Sequence, residues 1–372
     1  MSISGLEGVI AAKSAISAVD GQAGRLVYRG YNIHDLATQS SFEETANLLW
    51  SGTLPDREQL SRLCQELASY RELPAQLISL MRALPLGRLV PMAFLRTGVS
   101  MLSHFDPESE DNSREANMRK AIRLTARFPT IMAAFDRIRR GLDPVPPRVD
   151  LGQAANFLLM LNGQEPDPMR CRMLDTYFIL LADHELNAST FAARITTATL
   201  SDIYSAVTAA IGALKGSLHG GANEKTMEML LKIGDPGRAE EYVRNALQHK
   251  ERIMGFGHRV YKTEDPRATH LRHMSQELGR KCGQPQWYDI SKRIEDLMLH
   301  EKGLNSNVDF YSASVLYLCE IPVDLFTPTF ASSRIAGWTA HVLEQQADNR
   351  LIRPRSEYVG PKDLPYVPID RR

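Results

Sequence analysis

The sequence predicts an all-α protein of two helical bodies, with one small β-hairpin near its N-terminus. Three observations predict it. Apolar residues recur at helical spacing along most of the chain, and convincing strand signals are confined to one short region. Pro and Gly punctuate the pattern at helix-length intervals. The 372 residues also exceed what a single core usually supports, so one large and one smaller domain are expected.

The hairpin is read at 15–19 and 25–29, which flank the turn residues Asp20-Gly21-Gln22-Ala23-Gly24. Helical stretches follow at 41–52, 56–70, 75–83 and 92–104. The acidic, Pro- and Ser-bearing break at 106–115 reads as a surface loop. Helices resume at 115–128, with a separate one starting at Pro129 and running to 141. The segment Asp143-Pro144-Val145-Pro146-Pro147-Arg148 is a stiff connector that no helix crosses. Further helices are read at 151–162, 168–182, 189–198, 201–215 and 223–233. Another spans 268–281, with Asp265 as N-cap, Pro266 at the first helical position and Gly283 beyond its end. The last two open at Asp309 and at about 329, the latter running to 347. No internal repeat or low-complexity segment is present. Glycine-rich or Pro-bearing breaks at 216–221 and 320–322 suggest the seams: a small domain at 221–320 inserted into a large one built from 1–220 and 321–372.

Composition narrows the function. Lys plus Arg equals Asp plus Glu, 44 each, which gives no bulk electrostatic case for nucleic acid or an acidic membrane. No apolar run approaches the roughly 18 residues that span a bilayer. The first seven residues lack the basic-then-apolar layout of a secretory signal, so a cytoplasmic location is expected. Cys64, Cys171, Cys282 and Cys319 form no C-x-x-C pair and are expected to be buried free thiols.

Gly255-Phe256-Gly257-His258-Arg259-Val260-Tyr261-Lys262 is the most informative stretch. Its glycines let something approach the backbone beside His258. Arg267 falls in the first turn of a helix, where the dipole disfavours a cation, so an anionic partner is expected. As bare chemistry this is a carboxylate or phosphate site with a hydrogen-bonding imidazole. His258 could equally be a loop imidazole bonded to nearby backbone. His219 precedes a helix N-terminus, which disfavours a charged ring and keeps it a neutral donor; it could also merely cap its own turn. Asp309 enters an apolar helix and loses solvation, which raises its pKa towards that of a usable base, unless it is a simple N-cap. Arg334 shares a helix face with Phe330 and Trp338 and needs an anion, whether substrate or structural carboxylate. His270 and His273 are spaced for a metal, but no third ligand stands out, and surface exposure is expected. His34, His104, His249, His300 and His341 are given no role.

Together with Leu218-His219-Gly220-Gly221-Ala222-Asn223-Glu224, Asp183-His184-Glu185, Asn307-Val308-Asp309-Phe310-Tyr311-Ser312, Ile352-Arg353-Pro354 and Leu26-Val27-Tyr28-Arg29-Gly30-Tyr31, that stretch resembles the citrate synthase family over essentially the whole chain. The resemblance implies a two-domain helical fold with the active site between the domains. It implies condensation of acetyl-CoA with oxaloacetate and water to citrate and CoA, through an enol(ate) and citryl-CoA, in the tricarboxylic acid cycle. It assigns Asp309, His219 and His258 to catalysis. His184, Arg267 and Arg334 would hold oxaloacetate, with Arg353 supplied across a homodimer interface. Arg259 and Lys262 would meet the CoA phosphates, and the backbone of 254–257 would line the adenine site. No metal or redox cofactor is implied. 2-Methylcitrate synthase, using propionyl-CoA, is the near alternative, and a metal-dependent hydrolase the remote one. Phe310-Tyr311 after Asp309 looks more like the citrate-forming members. Val90-Pro91-Met92 departs from the His-Pro-Met of many relatives, a matter of local packing. The chain begins almost directly at the hairpin, so regulation by NADH through a longer N-terminal extension is not expected.

Overall fold

The computed structural model describes residues 4–6 and 8–372. The first three strands form one antiparallel sheet, β1 (Ser17–Asp20), β2 (Arg25–Tyr28) and β3 (Tyr31–Asn32), in the order β1-β2-β3. The expected hairpin is therefore present, with a short third strand beyond it. In β1 and β2, Ser17 pairs with Tyr28 and Asp20 with Arg25, and alternate residues such as Leu26 and Tyr28 are buried.

Sixteen α-helices follow among the described residues: α1 (Ile33–Gln39), α2 (Phe42–Ser51), α3 (Arg57–Tyr70), α4 (Ala75–Ala83), α5 (Pro91–Leu102), α6 (Arg114–Arg139), α7 (Gln153–Asn162), α8 (Pro168–Leu181), α9 (Ala188–Ala198), α10 (Ile203–Leu214), α11 (Ala222–Ile233), α12 (Ala239–Gln248), α13 (Pro266–Lys281), α14 (Gln286–Lys302), α15 (Val308–Leu318) and α16 (Phe326–Ala347). Their starts carry the expected chemistry. Ser41, Asp56, Ser113, Asp167, Asn187, Asp202, Asp265 and Asn307 each accept a backbone N–H in the first turn.

α6 and α16 form the centre of the helical core, almost wholly buried, and α16 packs against α2, α6, α8, α9 and α10. Trp338 on α16 meets Phe128 edge-on at 6.5 Å, and the Trp50 indole donates to Ala336 O (3.1 Å) and Thr339 Oγ1 (2.9 Å).

Several expectations are corrected. The break at Pro129 is absent: α6 runs straight through it, because burial of the flanking turns outweighs one missing N–H in so long a helix. The acidic stretch is a largely exposed loop over 107–113, as expected, but it is anchored at its start and from beneath. Asp106 is buried against Arg123 and Tyr204, and Lys120 donates to the carbonyls of Ser109 (3.1 Å) and Asp111 (2.6 Å). Only Cys319 is buried; Cys171 and Cys282 are partly exposed and Cys64 exposed, all as free thiols. His270 is half-buried, with His34 Nδ1 2.8 Å from its Nε2. No helix among the described residues is long and apolar enough to cross a membrane.

Candidate active site

The loop before α13 is tied to the loop before α15. Gly257 N donates to Asn305 O (3.0 Å), Asn307 N to Gly255 O (2.9 Å), and Asn307 Nδ2 to Gly257 O (2.9 Å). Gly255 is required here: its φ is +83°, and a Cβ would lie 2.8 Å from Phe310 Cβ. This stitching sets His258 beside the N-terminus of α15. His258 Nδ1 accepts from Val260 N (3.0 Å) and Tyr261 N (3.1 Å), so its proton sits on Nε2, the outward atom. Burial first, then the Arg267 charge, pushes its pKa down to about 4. The backbone-bonded reading of His258 is thus correct for one nitrogen and leaves the other free. From the other side the β1–β2 turn braces the loop: Lys262 N donates to Gly21 O (2.9 Å), and a Cβ on Gly21 would collide with Val260 O.

Asp265 caps α13 and also grips Arg267. Its Oδ1 accepts from Arg267 N and Nε (both 3.0 Å), and its Oδ2 from Arg267 Nη2 (2.8 Å) and Val308 N (3.2 Å). One buried carboxylate therefore answers the cation that sits against the helix dipole and links α13 to α15. The arginine's Nη1 has no acceptor among the described residues.

His184 lies just past the end of α8. Its Nε2 is 3.2 Å from Tyr261 Oη, and its ring meets that of His258 edge-on at 5.4 Å. Burial, then the Arg267 charge, holds it well below the ordinary imidazole pKa. His219 follows α10 in a Gly-bordered turn. Ser189 N donates to its Nε2 (3.3 Å), and Ser189 Oγ lies 2.8 Å from the same atom. A backbone N–H can only donate, so Nε2 is the acceptor and the proton resides on Nδ1. Burial, then Arg334, lowers its pKa to about 4. The Ser189 hydroxyl is itself anchored by the Trp338 indole at 3.1 Å.

Asn307, not Asp309, is the N-cap of α15; its Oδ1 accepts from Asp309 N (3.0 Å). No described residue hydrogen-bonds the Asp309 carboxylate. Burial raises its pKa to about 6, with Arg267 and Arg334 pulling the other way. Arg334 is 2% exposed and finds no carboxylate partner among the described residues. Its Nε donates to Leu181 O (2.7 Å), its guanidinium lies 4.5 Å from the Phe330 ring centroid, and burial lowers its pKa to about 10. The structural ion pair weighed as its alternative is absent. The Arg334 charge acts on His184, His219 and Asp309 alike.

Arg259 and Lys262 are exposed on the His258 loop, and Arg353 is exposed on the extended tail after α16; none forms an ion pair among the described residues. Sequence reasoning missed Tyr261, Asp265 and Ser189. Asp265 was recognised as a cap, but its grip on α15 depends on a residue 43 positions away. It also missed Tyr177, whose buried hydroxyl meets no well-formed hydrogen bond among the described residues and feels the Asp309 charge. No group of three or more His, Cys, Asp or Glu among the described residues is arranged to hold a metal ion.

A neutral imidazole can donate a hydrogen bond to an oxygen that is gathering charge. A carboxylate titrating near pH 6 can accept a proton from carbon at neutral pH. With two buried guanidiniums alongside, this fold and site define a helical enzyme of acid–base carbon chemistry on a carboxylate-bearing substrate. Comparison with known proteins agrees. The family model described as "Citrate synthase, C-terminal domain" matches residues 5–355. Citrate synthase 2 of Bacillus subtilis is 54% identical over 368 residues, 99% of this chain and 98% of that one. A 2-methylcitrate synthase of Mycobacterium tuberculosis is 45% identical over 356 residues, 96% of this chain and 90% of that one. The structure of Thermoplasma acidophilum citrate synthase in ternary complex with carboxymethyl coenzyme A and oxaloacetate superposes with a TM-score of 0.92 at 33% identity, covering 99% of this chain and 98% of that one. The chain belongs to the citrate synthase family.

Proposed function

We propose that this protein condenses acetyl-CoA with oxaloacetate and water, giving citrate and CoA, as a cytoplasmic homodimer whose 221–320 segment closes over the substrates. What supports the reading is that His219 and His258 each keep one ring N–H without a partner among the described residues, that the buried Asp309 carboxylate has none either, and that the Arg267 and Arg334 charges reach these groups.

Oxaloacetate binds first, its carboxylates held by the free Nη1 of Arg267, by Arg334 and by Arg353 of the partner subunit, with His184 beside them. Closure excludes water and strengthens each charge interaction. Asp309 takes a proton from the acyl methyl while His219 Nδ1–H bonds the thioester oxygen. Splitting the work matters, because a thioester α-proton is too weak an acid for a carboxylate alone. The enol(ate) carbon attacks the ketone, whose oxygen receives a hydrogen bond from His258 Nε2–H as it becomes an alkoxide. Water then cleaves the citryl-CoA thioester, which makes the sequence irreversible. In this reading Arg259 and Lys262, both exposed on the His258 loop, would meet the CoA phosphates, and the 254–257 backbone its adenine.

The tail after α16 supports the dimer. Val359, Leu364, Tyr366 and Ile369 are 70–90% exposed in one protomer, an apolar run that calls for a second surface. The 45% identical 2-methylcitrate synthase favours one second reading, the same chemistry on propionyl-CoA. One methylene in a pocket is worth only about 1–3 kcal/mol, so the activities can overlap.

Thiol release from acetyl-CoA and propionyl-CoA, each with and without oxaloacetate, tests the proposal. Oxaloacetate-dependent release favouring acetyl-CoA is expected. A preference for propionyl-CoA would establish the second reading, and no release from either by folded protein would refute both.

A further inference from the structure

His341, given no role on sequence grounds, lies in the middle of α16 with no exposure to solvent. Its Nδ1 accepts from Arg194 Nη1 at 3.0 Å, because a guanidinium can only donate. The ring proton is therefore on Nε2, 3.3 Å from Asp183 Oδ2. Behind it, Arg194 is held by Gln345 Oε1 (3.0 Å) and Glu344 Oε2 (2.6 Å), and Glu344 Oε1 accepts from Ala15 N (2.8 Å). Ahead of it, Asp183 Oδ2 also accepts from Ser17 Oγ, and Ser17 Oγ in turn accepts from Glu185 N (2.9 Å). The polar chain thus ends on the residues immediately before and after His184.

That turn needs outside support. Glu185 has φ +54°, a left-handed conformation that a glutamate adopts at a cost. Asp183 is wholly buried, and its Oδ1 has no hydrogen-bond partner. Burial alone would push this carboxyl up; the hydrogen bonds from His341 and Ser17, with the Arg334 charge, hold it below its ordinary value instead. A buried charge of this kind is a poor way to gain stability, since apolar packing usually does as well. Its directed contacts all converge on the His184 turn, where the Tyr28 hydroxyl also donates to Asp183 O at 2.8 Å.

We infer that His341 is a positioning residue for oxaloacetate binding: through Asp183 and Ser17 it locks the turn that aims His184. The inference rests on the reading of His184 as a ligand of that substrate. The His341 ring joins a donor end to an acceptor end at fixed separation, and it keeps the Arg194 and Asp183 charges apart.

The experiment measures the oxaloacetate Kd by calorimetry, and kcat and both KM values, for the unaltered protein and for His341→Leu, His341→Gln and Ser17→Ala. His341→Leu keeps the volume and removes both hydrogen bonds, and should weaken oxaloacetate binding by roughly 10- to 100-fold while the acetyl-CoA KM stays within about 2-fold. His341→Gln retains one acceptor and one donor, and should recover to within about 5-fold of the parent. Ser17→Ala, which leaves the core intact, should weaken binding by about 3- to 10-fold even if His341→Leu fails to fold. An unchanged Kd in His341→Leu or in Ser17→Ala overturns the inference, as does a His341→Gln protein as impaired as His341→Leu. Failure of the unaltered protein to bind oxaloacetate would instead sink the proposed function.

Discussion

Replacing Asp309 with Asn should abolish turnover and yet stabilise the protein at neutral pH. Folding raises this carboxyl from an ordinary 3.8 to about 6 by burying it, and no protein donor offsets the burial. The sign follows from linkage. A raised carboxyl pKa costs nothing below the unfolded value and reaches its full penalty once pH exceeds the folded value. At about 1.4 kcal/mol per pKa unit, the ionised form costs up to about 3 kcal/mol at pH 7.5 and about 1 kcal/mol at pH 4.5. Asn has nearly the same shape and no charge, so the variant escapes that penalty. With about 2.1 cal/mol/K of unfolding entropy per residue, the 372-residue chain gains about 4 °C in Tm at pH 7.5 and about 1 °C at pH 4.5. Differential scanning fluorimetry of both proteins across that range measures it. A Tm difference independent of pH, or an Asn variant less stable than the parent at pH 7.5, would refute the idea that Asp309 is held ionised against its surroundings.

The same base fixes the acid limb of activity. With Asp309 required in ionised form, kcat/KM for the acyl-CoA should fall about tenfold per pH unit below about 6, while His219 and His258 stay neutral down to about 4; a flat profile to pH 5 would place the base elsewhere. Ser189→Ala removes the hydroxyl at 2.8 Å and leaves the His219 ring held only by the longer backbone N–H bond, and should lower kcat roughly tenfold with the oxaloacetate KM almost unchanged, which steady-state kinetics would separate. Gly255→Ala forces a Cβ to 2.8 Å from Phe310 Cβ at φ +83° and should cost about 1–3 kcal/mol along with most activity; a fully active, equally stable variant would contradict the stitched-loop geometry. Mixing inactive Arg353→Ala and Asp309→Asn proteins and refolding them together should restore roughly a quarter of parental activity, since half the dimers would carry one complete site. No recovery would mean that Arg353 does not cross between subunits.

Much of the fold was legible because its signals are local. Asp265, Pro266 and Gly283 mark α13 within a few residues of one another, and the apolar period runs through each long helix. The reading failed where tertiary burial overrides a local rule: Pro129 should end a helix, but α6 is buried on nearly every side there and continues. The candidate site positions were legible as residue types in familiar surroundings. Their partners were not, because Ser189 lies 30 residues from His219 and His341 lies 158 from Asp183. No periodicity encodes which buried oxygen a ring nitrogen will face. Arg267 shows the intermediate case: its need for an anion was readable, and the anion proved to include the helix's own cap.

The bracing of the His258 loop by the β1–β2 turn bears on how the molecule comes into being. Gly21 and Lys262 are joined by a backbone hydrogen bond, yet they are separated by almost two-thirds of the chain. A nascent chain makes the hairpin early and must wait for α13 to emerge before that bond can close. Joining residues so distant in sequence carries a loop-closure cost that no local element meets by itself. The imidazole loop therefore stays unsupported until both ends of the chain's span are in place, and its geometry is a product of the assembled protein and not of the loop's own sequence.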